Sequence, residues 1–166
     1  MERKIINGMD IEELRAYQAE VLKDHYQAER NPTLVANWVG GSRARVQKDG
    51  IVTHIGGDSE LDAMQTLLAC LVACDVEVIV MHAAFKGLEI KSLSIEATGH
   101  FNIARFMGAE GAPGPGYDRI SYKVRINAPG ATPEQIAYLQ KVCEHTSPVG
   151  DSLAKAIPLK LEFESV

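Results

Sequence analysis

Cysteines are scarce in this sequence, and the beginning of the chain has no long apolar run. Only three cysteines occur among 166 residues. The N-terminal segment MERKIINGMDIEELR is polar and lacks the apolar core of about 7–15 residues that an export signal requires. Both features argue against a disulfide framework of the secreted type, which leaves burial, metal binding or catalysis as uses of the thiols. We therefore expect a cytoplasmic protein.

Basic residues are not concentrated anywhere in the chain. The formal net charge is −5, the pI is about 5.5, and lysine and arginine are scattered along the sequence. A protein that binds nucleic acid or an anionic membrane usually carries a basic surface, so we expect neither as a partner. The length, with 46% hydrophobic residues, suits one domain with a sizeable core.

The first third of the chain combines one helix with strands. Residues 9–30 predict a helix that Asp10 caps, with an apolar stripe of Ile11, Leu14, Tyr17 and Val21 packed on the body. Residues 34–40 resemble a strand. Residues 43–55 predict a β-hairpin, because Asp49-Gly50 tolerates the positive φ angles of a tight turn. The helix contains no residues with an evident chemical role, so we expect it to be structural.

A long apolar segment follows, from Ser59 to Gly87. Asp62, Asp75 and Glu77 interrupt it, and burying such groups in lipid is costly, so a core helix is favoured over a membrane span. A helix that is apolar on nearly all sides needs more cover than one small sheet provides. We therefore predict that the chain forms a dimer.

The sequence from residue 88 onward predicts two antiparallel strands, two helices and a final strand. Strands are expected at 88–101 and 117–127, where apolar residues alternate with polar ones. Thr132 begins a capping box for a helix at 133–145, and Ser147-Pro148 begins a short one. PLKLEFE is expected to close the chain as a strand with Leu159, Leu161 and Phe163 inward. The pattern indicates an α+β fold.

The stretch LLACLVAC raises the question of what its thiols do. Cys70 and Cys74 lie one helical turn apart and could hold half of a zinc site, but no second ligand pair has the usual spacing. Cys70 and Cys143 each lie on an apolar face and are interpreted as small buried hydrophobes. Cys74 lies where the helix becomes charged, a position that can meet both a pocket and solvent. Packing and catalysis both remain open for it.

A catalytic Cys74 would have to ionise. An unperturbed thiol, with a pKa near 8.5, is only about 3% thiolate at pH 7. Asp75 disfavours a second negative charge beside it, so a cation from elsewhere in the fold is needed. Arg43 and Arg45, in GGSRARV, are the nearest candidates in the sequence.

Several segments together resemble a known family. GG, LLACLVAC, HAAFKGLEIKSLSIEATG, GPGYDRISYKVRI, SPV and PLKLEF occur in the order found in the OsmC/Ohr family of thiol-dependent hydroperoxide reductases. The resemblance covers about residues 33–166. It implies an OsmC-like fold, with antiparallel sheets wrapped around long central helices in an intertwined homodimer and active sites at the subunit interface. We expect one such domain over 1–166, in which 1–32 form an N-terminal helical extension.

The resemblance also implies roles for particular residues. Cys74 matches the peroxidatic cysteine, which attacks the peroxide and becomes a sulfenic acid. The family's second cysteine, in a CPV-like motif, is replaced by Ser147 here. Gln65 stands where members often carry a glutamate that holds the activating arginine, for which Arg43 fits and Arg45 is an alternative. No cofactor or metal is implied, and a branch with an N-terminal helix and SPV is the most similar.

Two functions follow as hypotheses. The first is a one-cysteine thiol peroxidase that reduces organic hydroperoxides and takes electrons from an external thiol. The second is a non-catalytic dimeric protein that binds apolar small molecules and has lost the redox relay. The histidines have no shared spacing and are interpreted as structural or surface residues: His54, His82, His100 and His145.

Overall fold

The computed structural model describes residues 4–165, which form an α+β fold with antiparallel sheets. The described residues contain four α-helices, seven strands and one short 3-10 helix, His25–Ala28. The helices are α1 (Ile11–Lys23), α2 (Ala63–Phe85), α3 (Pro133–Thr146) and α4 (Pro148–Ala154). The strands are β1 (Ile5–Ile6), β2 (Met9–Asp10), β3 (Val35–Trp38), β4 (Ala44–Lys48), β5 (Ile51–Ile55), β6 (Ser92–Phe101) and β7 (Tyr117–Asn127). The predicted α+β class is confirmed.

The strands form three separate antiparallel sheets, β1–β2, β3–β4–β5 and β6–β7. The predicted hairpin is present: Lys48 pairs with Ile51, and Asp49 and Gly50 between them have φ angles of 50° and 83°. The two turn residues were sufficient to predict this hairpin, because their left-handed conformations match the twist of the flanking strands. Among the described residues, no helix packs extensively against the β3–β4–β5 sheet.

The N-terminal extension is attached to the body through its beginning. Asp10 caps α1 as predicted, accepting hydrogen bonds from the backbone of Glu12 and Glu13. The preceding β1–β2 hairpin was not predicted; its turn residue Asn7 bonds both Leu88 O (2.9 Å) and Ile90 N (2.8 Å). The predicted packing of the whole apolar stripe is wrong, because Ile11 is buried but Tyr17 is 49% exposed. Only the first part of α1 has a surface beneath it.

The core lies where α2 packs against α3, α4 and β6. Its main cluster consists of Ile79, Ala83, Leu88, Leu139 and Cys143. Leu139 of α3 packs near Ile79 and Ala83, whereas Ser147, at the end of α3, contacts Cys74. The two helices therefore run antiparallel, and this arrangement places the C-terminal end of α3 beside the middle of α2.

The apolar helix α2 is only partly covered within one chain. It is long and apolar enough to cross a membrane by length and composition, yet it carries the fully buried Asp75 and is the central helix of this core. Its opposite face, with Leu67, Cys70 and Val76, is exposed. The interpretation of Cys70 as a buried residue is therefore wrong within a single chain.

The predicted C-terminal strand does not form. Residues 155–165 contain no helix or strand, and the three apolar side chains expected to point inward are exposed: Leu159 94%, Leu161 84% and Phe163 89%. The alternation of the sequence is that of a strand, but a strand needs a neighbouring edge for its backbone hydrogen bonds. One chain does not provide that edge to this segment.

The surface of the single chain is unusually large. A compact monomer of 18.1 kDa is expected to expose about 8,100 Å². The chain exposes 12762 Å², about 4,700 Å² more. Much of the excess is apolar and lies on the β3–β4–β5 sheet, the free face of α2 and the C-terminal tail.

Candidate functional site

Cys74 lies in the middle of α2 and contacts one side chain from the far end of the sequence. Its sulfur is 3.6 Å from the hydroxyl oxygen of Ser147, and the thiol is only partly buried. Ser147 itself is 4% exposed. Cys74 and Ser147, two of the predicted site residues, are therefore in contact although 73 positions separate them in the sequence.

Ser147 is held in place because it joins two helices. It follows Thr146, the last residue of α3, and caps α4; its hydroxyl oxygen accepts a hydrogen bond from Gly150 N at 3.1 Å. Pro148 favours the extended backbone observed at Ser147, which ends α3 there. With the oxygen accepting from the backbone, the hydroxyl proton can be donated to the sulfur.

Asp75 is a buried carboxylate next to this thiol. It is 0% exposed, and neither oxygen has a partner at ordinary hydrogen-bond geometry. Its charge raises the pKa of Cys143 of α3 and of Tyr122 of β7. A buried charge without a counter-charge is costly, so Asp75 opposes a further negative charge nearby.

Cys143 shares this environment. Burial raises the pKa of its thiol to about 11, and the charge of Asp75, a hydrogen bond to that carboxylate, and the charges of Glu144 and Cys74 add to the effect. The Asp75 oxygens have no hydrogen-bond partner of ordinary geometry, so Asp75 acts on this thiol mainly through its charge. The thiol of Cys143 is therefore neutral at pH 7, as expected for a residue of the core.

The predicted arginine has a partner that the sequence reasoning missed. Arg43 forms an ion pair with Glu60, which also accepts a hydrogen bond from Ser59 at 2.9 Å. The hydrogen bond from Ser59, followed by the contact with Arg43, lowers the pKa of Glu60. The alternative residue, Arg45, bonds Gln47 instead. Glu60 lies in the loop before α2, and an acidic residue at that place is the sequence signal that could have indicated this pairing.

Gln65 does not contact the arginine. It forms a capping box with Asp62, in which Gln65 N donates to the Asp62 carboxylate (2.8 Å) and Asp62 N donates to the Gln65 side chain (3.1 Å). Gln65 precedes Cys74 by nine residues, about 14 Å along the helix axis. Within the described part of the chain no hydrogen bond links Arg43 to Cys74. One chain therefore assembles Cys74 with Ser147, and Arg43 with Glu60, as two separate groups.

Two cavities adjoin Cys143 between the helices and β7. One, of about 520 Å³, is lined by Leu71, Ile120 and Gly150 among others; a second, of about 430 Å³, is lined by Ile79, Val124 and Leu139 among others. Tyr122, Cys143 and Glu144 belong to both. Leu71 and Gly150 are each three residues from the Cys74–Ser147 pair, so the larger cavity begins beside it. Its lining is mostly apolar, with charged residues at the edge.

Over residues 4–165, no group of three or more His, Cys, Asp or Glu side chains is arranged to hold a metal ion. The histidines have other surroundings: His82 bonds the Tyr138 hydroxyl at 2.8 Å, and His100 bonds the Asp118 carboxylate at 2.9 Å. Burial lowers the pKa of His82, and Lys86 adds to this.

Comparison with known proteins establishes the family to which the chain belongs. A family model described as OsmC-like protein matches residues 56–162, well over half of the sequence and the whole of the Cys74–Ser147 region. The chain belongs to the OsmC-like protein family. The match begins at Gly56, so the N-terminal helix and the β3–β4–β5 sheet lie outside it. A search of curated proteins finds no significant match.

Solved structures of this OsmC-like fold resemble the chain at low sequence identity. An OsmC-like protein from Mycoplasma pneumoniae superposes with a TM-score of 0.65 at 16% identity, over 76% of this chain and 89% of the other. An OsmC-like protein of unknown function from Vibrio cholerae gives 0.61 at 12%, over 75% and 94%. The organic hydroperoxide resistance protein OsmC from Legionella pneumophila gives 0.52 at 15%, over 75% and 91%. At these identities the likeness establishes the fold.

Proposed function

We propose that this protein is a thiol-dependent peroxidase of the cytoplasm that reduces organic hydroperoxides at Cys74. The Cys74 thiolate attacks one peroxide oxygen, the sulfur–oxygen bond forms as the oxygen–oxygen bond breaks, and the alkoxide takes a proton and leaves as an alcohol. Cys74 becomes a sulfenic acid. The electrons that restore the thiol come finally from an external thiol. Membership of the OsmC-like family and the hydroperoxide resistance protein among its relatives support this reaction class.

The contact between Ser147 and Cys74 is the observation that carries the proposal. A buried hydroxyl that accepts from a backbone N–H and donates to sulfur stabilises negative charge on that sulfur. Ser147 is thus not only the replacement of a cysteine; it supplies a hydrogen bond that a packing role of Cys74 would not need. The partial exposure of Cys74 allows a peroxide to reach it.

The cavities favour an apolar substrate. Each has the volume of a drug-sized ligand, and aliphatic side chains such as Leu71, Ile120 and Leu139 provide most of the wall. An alkyl or aryl chain bound along β7 would direct its hydroperoxide group towards Cys74. We therefore infer fatty or aryl hydroperoxides rather than hydrogen peroxide as the substrate class.

A homodimer would complete this site. The excess surface of about 4,700 Å² per chain exceeds what a stable obligate interface requires, about 2,000–5,000 Å² from both partners together. The free face of α2 and the unpaired C-terminal tail are the regions left for a second copy. In such a dimer we propose that Arg43, held by Glu60, approaches Cys74 of the other subunit and favours its thiolate.

A second function, non-catalytic binding of apolar small molecules by the same dimer, has its own support. The sulfur of Cys74 has no hydrogen-bonded cation within the described chain, Asp75 opposes its ionisation, and Gln65 cannot anchor a guanidinium by charge. This function keeps the cavities and the architecture but requires no chemistry at Cys74.

Trapping of the oxidised cysteine separates the two functions. The protein is treated with a slight excess of cumene hydroperoxide in the presence of dimedone, and the peptides are identified by mass spectrometry. The peroxidase function predicts an adduct on Cys74 that is absent from Cys74→Ser and unchanged in the control Cys70→Ser. Binding of the hydroperoxide without any oxidation of Cys74 would favour the second function.

A further inference from the structure

Cys143 occupies a position that the proposed reaction has not used. It lies on α3 four residues before Ser147, so the two side chains share one helix face, with Cβ atoms about 5–6 Å apart. Ser147 touches the sulfur of Cys74 at 3.6 Å. The antiparallel packing of α2 on α3 places Cys143 beside the turn that follows Cys74, where Asp75 and Ile79 lie.

From this arrangement we propose that Cys143 is the resolving thiol of the protein and forms an intrachain disulfide with Cys74 after Cys74 has been oxidised. The inference rests on the proposed peroxidase function. The sulfur of Cys143 attacks the sulfur of the Cys74 sulfenic acid, the new sulfur–sulfur bond forms, and the sulfur–oxygen bond breaks. The departing hydroxide takes the proton of the Cys143 thiol and leaves as water. Both thiols together supply the two electrons that reduce the hydroperoxide, and an external dithiol then reduces the disulfide.

The end of α3 is the part of the core best able to make this approach. A disulfide requires Cα atoms about 4.4–6.8 Å apart, and the end of α3 is the segment whose adjustment would bring Cys143 into that range of Cys74. Cys143 lies in the last turn of α3, which ends at Thr146, and it lines both cavities, of about 430 and 520 Å³. The last turn of a helix unwinds more easily than its middle, and the cavities leave space for the movement.

Cys70 is the competing thiol and is less suited to the step. It lies four residues before Cys74 in the same helix, and a disulfide between them would require α2 to unwind at its centre. α2 packs against α3, α4 and β6, so unwinding it would disrupt the core. Its exposed thiol also belongs to the face that the proposed dimer would cover.

Asp75 gives the buried thiol a neighbour that keeps it protonated until it reacts. The charged groups that act on the Cys143 thiol are Asp75 from α2, Glu144 on its own helix and Cys74, while Tyr122 and Lys123 of β7 line the cavity that Cys143 also lines. Burial and these acidic groups raise the pKa of Cys143, so the thiol proton is retained at neutral pH and is available to the leaving hydroxide. The same groups make the second step slower than the first, since a neutral thiol is a weak nucleophile.

The test counts thiols and maps disulfides after one equivalent of cumene hydroperoxide. The wild-type protein and Cys70→Ser are each expected to lose two free thiols and to yield a peptide pair joined through Cys74 and Cys143. Cys143→Ser is expected to lose one thiol and to accumulate a dimedone adduct on Cys74 at least tenfold above wild type. Because the mapping uses the wild-type chain, poor folding of the variant does not affect it.

Each other outcome has a distinct meaning. A bond between Cys70 and Cys74, or a persistent sulfenic acid in wild-type protein, would overturn the assignment of Cys143 while leaving the peroxidase function in place. No oxidation of Cys74 in any variant would overturn both.

Discussion

Replacing Ser147 by alanine removes the one hydrogen bond donated to the sulfur of Cys74 in the described chain. The two atoms are 3.6 Å apart, at the long end for a contact to sulfur, and Ser147 is almost fully buried. A hydrogen bond to a charged group contributes about 1.5–3 kcal/mol, and the long distance favours the lower limit. We therefore expect the thiolate of Cys74 to lose about 1.5 kcal/mol of stabilisation.

This loss has a measurable kinetic consequence. A change of about 1.5 kcal/mol lowers the thiolate population about tenfold, so alkylation of Cys74 by iodoacetamide at pH 7 should slow by a similar factor. The same substitution removes the cap of α4, since Gly150 N loses its acceptor, and should lower the free energy of unfolding by about 1 kcal/mol. The two effects are separated by measuring alkylation under conditions where each protein remains folded.

Ser152→Ala is the matched control for this substitution. Ser152 lies in α4 as well, but it is exposed and its hydroxyl donates to Pro148 O at 2.8 Å rather than to sulfur. Ser152→Ala should leave the alkylation rate of Cys74 unchanged. It should change the free energy of unfolding by no more than about 0.5 kcal/mol. An unchanged alkylation rate in Ser147→Ala would refute the idea that this hydroxyl stabilises the thiolate.

Three further predictions concern the core, the dimer and Cys143. Leu139→Ala should lower the free energy of unfolding by about 2–5 kcal/mol in urea titrations, because the side chain is 3% exposed; a loss under 1 kcal/mol would contradict the core packing. Phe163→Asp should convert a dimer to monomers in sedimentation, and a dimer that tolerates it would place the interface elsewhere. The alkylation rate of Cys143 should rise about tenfold per pH unit until about pH 11, since burial raises its pKa; a plateau near pH 9 would disagree. Because this pKa lies above the unfolded value of 9.0, the neutral thiol contributes fully to stability below pH 9, and its contribution is lost as the pH rises towards 11.

Local signals in the sequence predicted most elements of the fold. Asp49-Gly50 predicted its hairpin and Thr132 its capping box, because both depend only on the conformation of a few adjacent residues. Asp10 capped α1 for the same reason. The burial of the apolar stripe of α1 was harder to predict, because it depends on a surface elsewhere in the fold. Tyr17 is exposed although its spacing is that of a packed face.

The candidate site shows the same division between local and distant contacts. The resemblance placed Cys74 at the peroxidatic position and Ser147 at the position of the family's second cysteine, and the structure brings the two side chains into contact across 73 positions of sequence. Gln65 stands where the family often carries the glutamate that holds the arginine, yet its side chain caps its own helix, since the nearby Asp62 offers it a partner three residues away. Arg43 forms its ion pair with Glu60 instead, and no spacing rule distinguishes Glu60 from the other carboxylates of the loop.

The C-terminal tail marks a different limit. Leu159, Leu161 and Phe163 alternate as in a strand, and the pattern is read correctly only if a pairing edge exists. The chain that carries the pattern does not supply this edge, which is why the predicted strand is absent while its apolar side chains remain exposed. A second copy is the partner that would reconcile the pattern with the fold.

The central claim is that Cys74 reacts with an organic hydroperoxide. Its most direct test is the alcohol formed in a single turnover, measured by chromatography after the reduced protein is mixed with one equivalent of cumene hydroperoxide. We expect about one equivalent of alcohol per chain from the wild-type protein and from Cys70→Ser, and none above background from Cys74→Ser. Equal amounts of alcohol from the wild-type protein and Cys74→Ser would contradict the account.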